Sequence, residues 1–243
     1  MQTFFATKPP ALKLDYDRAE FKGFMSNETH LFSAEYAKRR VEIEGVEKIK
    51  AVLGKKPAII AFMHHGSFFL IGGALTHQLG CNYSALVSTR NFSLINQEGQ
   101  DFWRGVHKRS AALYGNELFY SDDSARKLIR WLTNDNMLGI VLDVREAGTQ
   151  RSETAFKMFG EKLYFQTGPA RLARIAKVDI IPVVVTYHPK KKKHVLTISP
   201  PIAPIGTEQE ITQQILTAIE PCLRESRNQE FYDVVKRLKQ RHN

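Results

Sequence analysis

The chain is poor in cysteine: only Cys81 and Cys222 occur, far apart and in no CxxC pair. That excludes a disulfide framework and the common zinc spacings, and it suits a reducing compartment. Long apolar runs are missing as well. The longest, at residues 58–63 and 180–185, have the length of buried strands and fall short of a bilayer-spanning helix. Met1–Leu14 lacks the apolar core of a secretory signal. The expectation is therefore a soluble protein or one seated on a membrane surface. No internal repeat and no low-complexity linker interrupts the chain. Acidic residues are in short supply, 25 Asp and Glu against 35 Lys and Arg, for a formal charge of +10. Such an excess draws anionic partners: nucleic acid, anionic lipid or an acidic carrier protein. Helix-turn-helix, zinc and aromatic-basic RNA signatures are all absent, which makes nucleic acid the weakest of the three.

What is present is an alternation of short apolar runs with amphipathic stretches. The 243 residues and their 43% hydrophobic content suffice for a sizeable core. Strands are expected at 58–63, 84–88, 117–120, 137–142, 178–186 and 194–199, and helices at 68–79, 94–108, 124–133, 168–176, 208–223 and 230–240. Ser67 is placed to cap the first of these helices. Lys190–Lys193 fits a hairpin tip between the last two strands. A loop of about twenty-five residues follows Asp143, and loops of that length are often functional. The pattern predicts a single α/β domain, residues 51–243, with a mixed sheet flanked by helices, preceded by a helical N-terminal segment at 1–50.

In open α/β sheets, ligands gather beyond the carboxyl ends of strands. Three features fall there: His64-His65-Gly66-Ser67, then Asp143-Val144-Arg145-Glu146, then the stretch reaching Phe159-Gly160 and Thr167-Gly168. A histidine between a strand and a helix is well placed as a general base. The helix N-terminus beside it offers N–H groups to an oxyanion. Together these are the requirements of acyl transfer.

The order of pieces resembles the lysophospholipid acyltransferase superfamily, and within it the late acyltransferases of bacterial lipid A biosynthesis. The matching pieces are the strand ending in Phe62 with His64-His65-Gly66, the strand ending in Asp143, Phe156–Gly160, Thr167–Ala173 and Ile180–Val184. The resemblance implies an acyl group moved from an acyl carrier protein or coenzyme A thioester to a hydroxyl or amine of a lipid or carrier-bound acceptor. No tightly bound cofactor or metal is expected; the thioester is a co-substrate. A cytoplasmic protein, peripheral on the cytoplasmic face of the inner membrane, would suit that reaction.

The family motif is His, four residues, then Asp or Glu. Gly66 aligns His64 with the family histidine, but the carboxylate position holds Phe69; counting from His65 gives Leu70. An apolar residue cannot fix the imidazole tautomer or stabilise imidazolium. Three resolutions stay open: a carboxylate from elsewhere, with Asp143 and Glu146 as candidates; orientation of one histidine by the other; or a non-catalytic member that binds carrier protein or lipid. Ser67, Arg90, Arg145, Glu146, Phe159, Gly160, Thr167 and Gly168 are the candidate substrate-binding residues. Arginines there would grip phosphate bidentately, and the glycines would grant unusual backbone conformations. Phe156, Phe159, Tyr164 and Phe165 offer an aromatic lining for an acyl tunnel, although core packing is the simpler reading of each. The basic tip at Lys190–Lys193 and the basic C-terminal stretch from Lys236 suit either solvent or an anionic headgroup layer.

Overall fold

The computed structural model describes residues 15–50, 52, 56–89, 95–144 and 153–240. Helix α1 (Arg18–Glu28) opens on a capping box, with Asp17 and Glu20 each accepting from the other's backbone N–H. Helix α2 (Ala34–Arg40) is capped by Ser33 and runs straight into strand β1 (Val41–Glu44), and a short turn of helix, α3 (Val46–Ile49), follows. Then come β2 (Ala58–Phe62), α4 (Leu70–Leu79), β3 (Tyr83–Val87), α5 (Gln97–Tyr114), β4 (Phe119–Tyr120), α6 (Ala125–Leu132) and β5 (Met137–Val141). A hairpin of β6 (Glu153–Met158) and β7 (Glu161–Gln166) precedes α7 (Gly168–Ala176), β8 (Asp179–His188), β9 (Lys193–Ile198), α8 (Glu208–Glu225) and α9 (Val234–Leu238).

The main sheet has seven strands in the order β1-β9-β8-β2-β5-β3-β4. Strands β8, β2, β5, β3 and β4 are parallel to one another, and β9 turns back antiparallel to β8 with β1 parallel to it. This is the expected mixed sheet flanked by helices. Strand β2 is buried along its whole length, as a central parallel strand must be. Its side chains alternate between two cores. Ile60 and Phe62 join α1, α2, α4 and α5 on one face; Ile59 and Ala61 join α6, α7, α8 and the hairpin on the other.

Four elements depart from the sequence expectation. Residues 41–44, within the stretch read as helical, add an edge strand to the sheet, so this segment is not helical alone. Part of the expected long loop is the β6–β7 hairpin, whose tip Phe159-Gly160 has positive φ at both residues, the geometry of a tight two-residue turn. The last helix covers only 234–238, because residues 229–231 are spent on a different partner, the turn after β2. Ser67 does not cap α4: no side chain caps that helix, and the Ser67 hydroxyl is taken by a carboxylate of α1.

That turn after β2 is fastened from two sides. Gly66 N–H donates to Gln229 O at 3.0 Å, Phe231 N–H donates to His64 O at 2.9 Å, and His65 bridges to Glu230. Gly66 has φ +55°, and a Cβ there would lie 2.1 Å from Val185 O, so no other residue fits without moving β8. On the other side Ser67 Oγ donates to Glu28 Oε2 at 2.6 Å. Glu28 also receives the Tyr36 hydroxyl and His194 Nε2, and its side chain and that of His194 are fully buried. Burial pushes the Glu28 pKa up, but its partners, His194 first among them, outweigh this and hold it below the usual range. Glu28 therefore ties the N-terminal segment to the turn and to β9. Replacing Glu28 by Ala removes one partner of a buried charged cluster and should cost about 3–5 kcal/mol; chemical denaturation checks this, and an unchanged midpoint would contradict the assigned role.

Candidate active site

His64 and Asp143 leave neighbouring parallel strands, β2 and β5, at the same end of the sheet. One carboxylate oxygen, Asp143 Oδ1, accepts from the His64 backbone N–H at 3.0 Å and meets His64 Nδ1 at 3.0 Å. Asp143 is 1% exposed. Burial raises its pKa, but His64, by charge and by both hydrogen bonds, and Arg237 more distantly, hold it below its ordinary 3.8. The carboxylate is an acceptor only, so in the neutral form of the His64 ring Nδ1 carries the proton and Nε2 the lone pair. Asp143 Oδ2 is buried and accepts no hydrogen bond among the described residues. Its charge is answered chiefly through Oδ1.

The His64 ring is held edge-on by Phe68 at 4.8 Å and by Tyr232 at 5.5 Å. It is 13% exposed and lines a cavity of about 180 Å³. Phe62, Phe68, Phe69, Trp103, Tyr114 and Leu118 contribute apolar wall. His107 also lines it, and burial pushes this imidazole down to about 4, so that side chain stays uncharged near neutral pH. Phe69 stands where the family motif has its carboxylate. Its ring is part of the apolar wall, tilted against Phe68 and Trp103, while its carbonyl accepts from the Tyr114 hydroxyl at 2.9 Å.

The other predicted site residues are distributed differently. His65 is 2% exposed and turned away: Nδ1 lies 2.9 Å from Val185 O, and Nε2 lies 2.9 Å from Ser226 O and 3.0 Å from its hydroxyl. Burial lowers its pKa, against the opposing pull of the Val185 and Ser226 carbonyls. With both nitrogens engaged, it neither orients His64 nor reaches the cavity. Ser67 is fully buried against Glu28 and does not line the His64 cavity. Phe159 and Gly160 form the hairpin tip, with the Arg227 guanidinium 4.4 Å over the Phe159 ring and the Phe159 N–H donating to Glu220. Phe156 and Phe165 belong to the core on that face, and none of the four aromatics proposed for a tunnel lines the His64 cavity. Thr167 bonds Glu208 at 2.8 Å, and Gly168 lines a second cleft, over α7, that shares Ser88, Val141 and Val144 with the first. Arg90, Arg145 and Glu146 lie outside the described residues. The basic tip at Lys190–Lys193 is partly neutralised, with Lys191 and Lys193 paired to Glu42 of β1.

Some of the missed lining was legible. Trp103, His107, Ser110 and Tyr114 follow helical spacing and share one face of α5. Tyr232 and Arg237 reach the cavity only through the fold of the C-terminal segment, and nothing local announces them. The two histidines separate cleanly in their consequences. His65→Ala removes the buried ring that links Val185 to Ser226 and opens a hole, and should cost about 2–5 kcal/mol, read from a denaturant midpoint; no shift would contradict its assigned place. The lowered Asp143 pKa gives a further test. Its ionised form stabilises the fold fully above its unfolded value, near 3.8, and this contribution fades as pH falls through the lower folded value. The stability gap between wild type and Asp143→Asn should accordingly shrink as pH drops below about 4, and a gap independent of pH would contradict it.

Comparison with known proteins bears on the same region. The family model described as bacterial lipid A biosynthesis acyltransferase matches residues 17–239. A search of curated proteins finds no match. Among solved structures, the chain is similar to the crystal structure of the 1-acyl-sn-glycerophosphate (LPA) acyltransferase PlsC from Thermotoga maritima, with 15% identity and a TM-score of 0.47, over 88% of this chain and 84% of that one.

Proposed function

Because the chain belongs to the bacterial lipid A biosynthesis acyltransferase family, whose reaction is acyl transfer to lipid, we propose that His64 is the general base of that transfer and Asp143 its orienting carboxylate. The observation that carries this reading is the pair of contacts made by Asp143 Oδ1 with the His64 backbone and ring. They hold the imidazole as the Nδ1–H tautomer and leave Nε2 to take the proton of an acceptor hydroxyl or amine. The deprotonated acceptor attacks the thioester carbonyl, and collapse of the tetrahedral adduct expels the donor thiolate, which is protonated from the imidazolium. The negative Asp143 stabilises that imidazolium while it exists. The apolar cavity beside His64 suits the acyl chain of the donor.

The donor in this reading is an acyl carrier protein or coenzyme A thioester, and the acceptor is a lipid or carrier-bound hydroxyl or amine. Among the described residues no helix is long and apolar enough to cross a membrane. The net charge of +10 supports attraction to an anionic leaflet, and a place on the cytoplasmic face of the inner membrane goes with the carrier-bound donor. A non-catalytic, carrier- or lipid-binding role was the alternative raised by Phe69; the carboxylate supplied from β5 favours the enzyme.

The test is a thioester assay with carrier-protein and coenzyme A donors of several chain lengths and cell lipid extract as acceptor, followed by thiol release and product mass. His64→Gln keeps a donor for Asp143 but lacks a base, and should lose turnover. Asp143→Asn should lower kcat by about 10³–10⁴-fold, the scale set by orienting carboxylates in hydrolytic triads. Wild-type rates in either folded variant would refute the assignment, and an absence of turnover in the wild type with retained lipid or thioester binding would favour the non-catalytic role.

A further inference from the structure

Two neighbouring clefts share walls with the His64 cavity at its strand-end side. One, the cleft over α7, shares Val141, Val144 and Ser88 with it. The other, a surface groove of about 630 Å³, shares Tyr232 and Arg237. That groove gathers Arg18, Lys22, Lys236 and Arg237 around the rings of Phe231 and Tyr232, against the single carboxylate of Asp233. Arg18 already holds Asp233 and Glu230, each at 3.2 Å. Among the described residues Lys22 and Lys236 form no ion pair, and Arg237 acts only at a distance on Asp143. Lys22 Nζ stands 4.5 Å over the Phe231 ring, and the Arg237 guanidinium stands 4.1 Å over the Tyr232 ring. Ring faces of this kind orient a cation without neutralising it. Surplus positive charge is thereby held in place beside the ring that flanks His64 at 5.5 Å.

Resting on the acyl-transfer reading above, we propose that this groove docks the phosphate of the acyl donor's pantetheine arm, a chemistry shared by coenzyme A and by the prosthetic group of acyl carrier protein. A chain seated in the apolar cavity brings its thioester to His64, and the arm then leaves across Tyr232. Phosphate offers several charged acceptor oxygens, which ammonium and guanidinium groups recognise by hydrogen bonds of more than ordinary strength. Among the described residues the cleft over α7 is lined by one cation, Arg171, and one carboxylate, Asp123, without such a surplus, and it is left to the acceptor.

The experiment measures binding without turnover. Wild type, a Lys22→Ala/Lys236→Ala double variant and His64→Gln are titrated with four probes: a non-transferable acyl thioether of coenzyme A, carrier protein bearing the same acyl group through an amide, the acyl-pantetheine analogue without phosphate, and phosphatidylglycerol vesicles. The groove predicts that wild type binds at least one phosphorylated analogue, with affinity that falls as salt is added. The double variant should bind it at least about tenfold more weakly yet bind the phosphate-free analogue unchanged. Whichever phosphorylated analogue binds identifies the donor. Equal affinity of wild type and double variant for the phosphorylated analogues overturns the proposal, as does a loss of the same size for the phosphate-free analogue. Failure of both phosphorylated analogues to bind wild type, or a loss confined to vesicles, also overturns it, the latter in favour of a membrane contact. Turnover of His64→Gln tests the base and binding by the double variant tests the groove, so the two readings fail separately.

Discussion

One carboxylate oxygen, buried at the end of a central strand, holds both the backbone and the ring of a histidine on the adjacent strand. Everything around the site answers to that constraint. A buried Asp is tolerable only if its charge is met, and His64 meets it twice through Oδ1. In return the imidazole has a single tautomer and a single orientation. The parallel pairing of β2 with β5 makes this possible, because it sets Phe62 opposite Val141 and so ends both strands at the same level.

The turn that carries His64 is itself over-determined. Gly66 passes against the Val185 carbonyl, residues 229–231 lie along it, His65 plugs into β8 and the Ser226 carbonyl, and Ser67 is tied to Glu28. Adjacent histidines thus serve opposite ends. One is exposed to a cavity with a nitrogen to spare; the other is consumed by buried backbone carbonyls that need partners. Phe69 fits the same logic. With the carboxylate supplied from β5, the residue in the family's acidic position is released to complete an apolar wall with Phe68 and Trp103.

How far this could be read in the sequence depends on the range of the interaction. The β2 and β5 runs, with His64 and Asp143 at their ends, are local patterns of apolar residues followed by polar ones, and the sheet architecture follows from their alternation with helices. The face of α5 bearing Trp103 and His107 was equally available from its spacing. The opposite roles of His64 and His65 were not, because they depend on Val185 and Ser226, which lie 120 and 161 residues away. The pull of Glu28 on Ser67, which displaces the expected helix cap, is likewise long-range. Residues 41–44, Val-Glu-Ile-Glu, alternate apolar and acidic as a strand does, but the run is only four residues long and continues the charged end of α2, so pairing with β9 decides for the strand.

The most direct test of the central claim is the tautomer of His64, read by two-bond nitrogen–proton correlation NMR on protein labelled with ¹⁵N at histidine. Neutral His64 should carry its proton on Nδ1 in the wild type and lose that strict preference in Asp143→Asn. A wild-type ring protonated on Nε2, or one indifferent to loss of the Asp143 charge, would contradict the account.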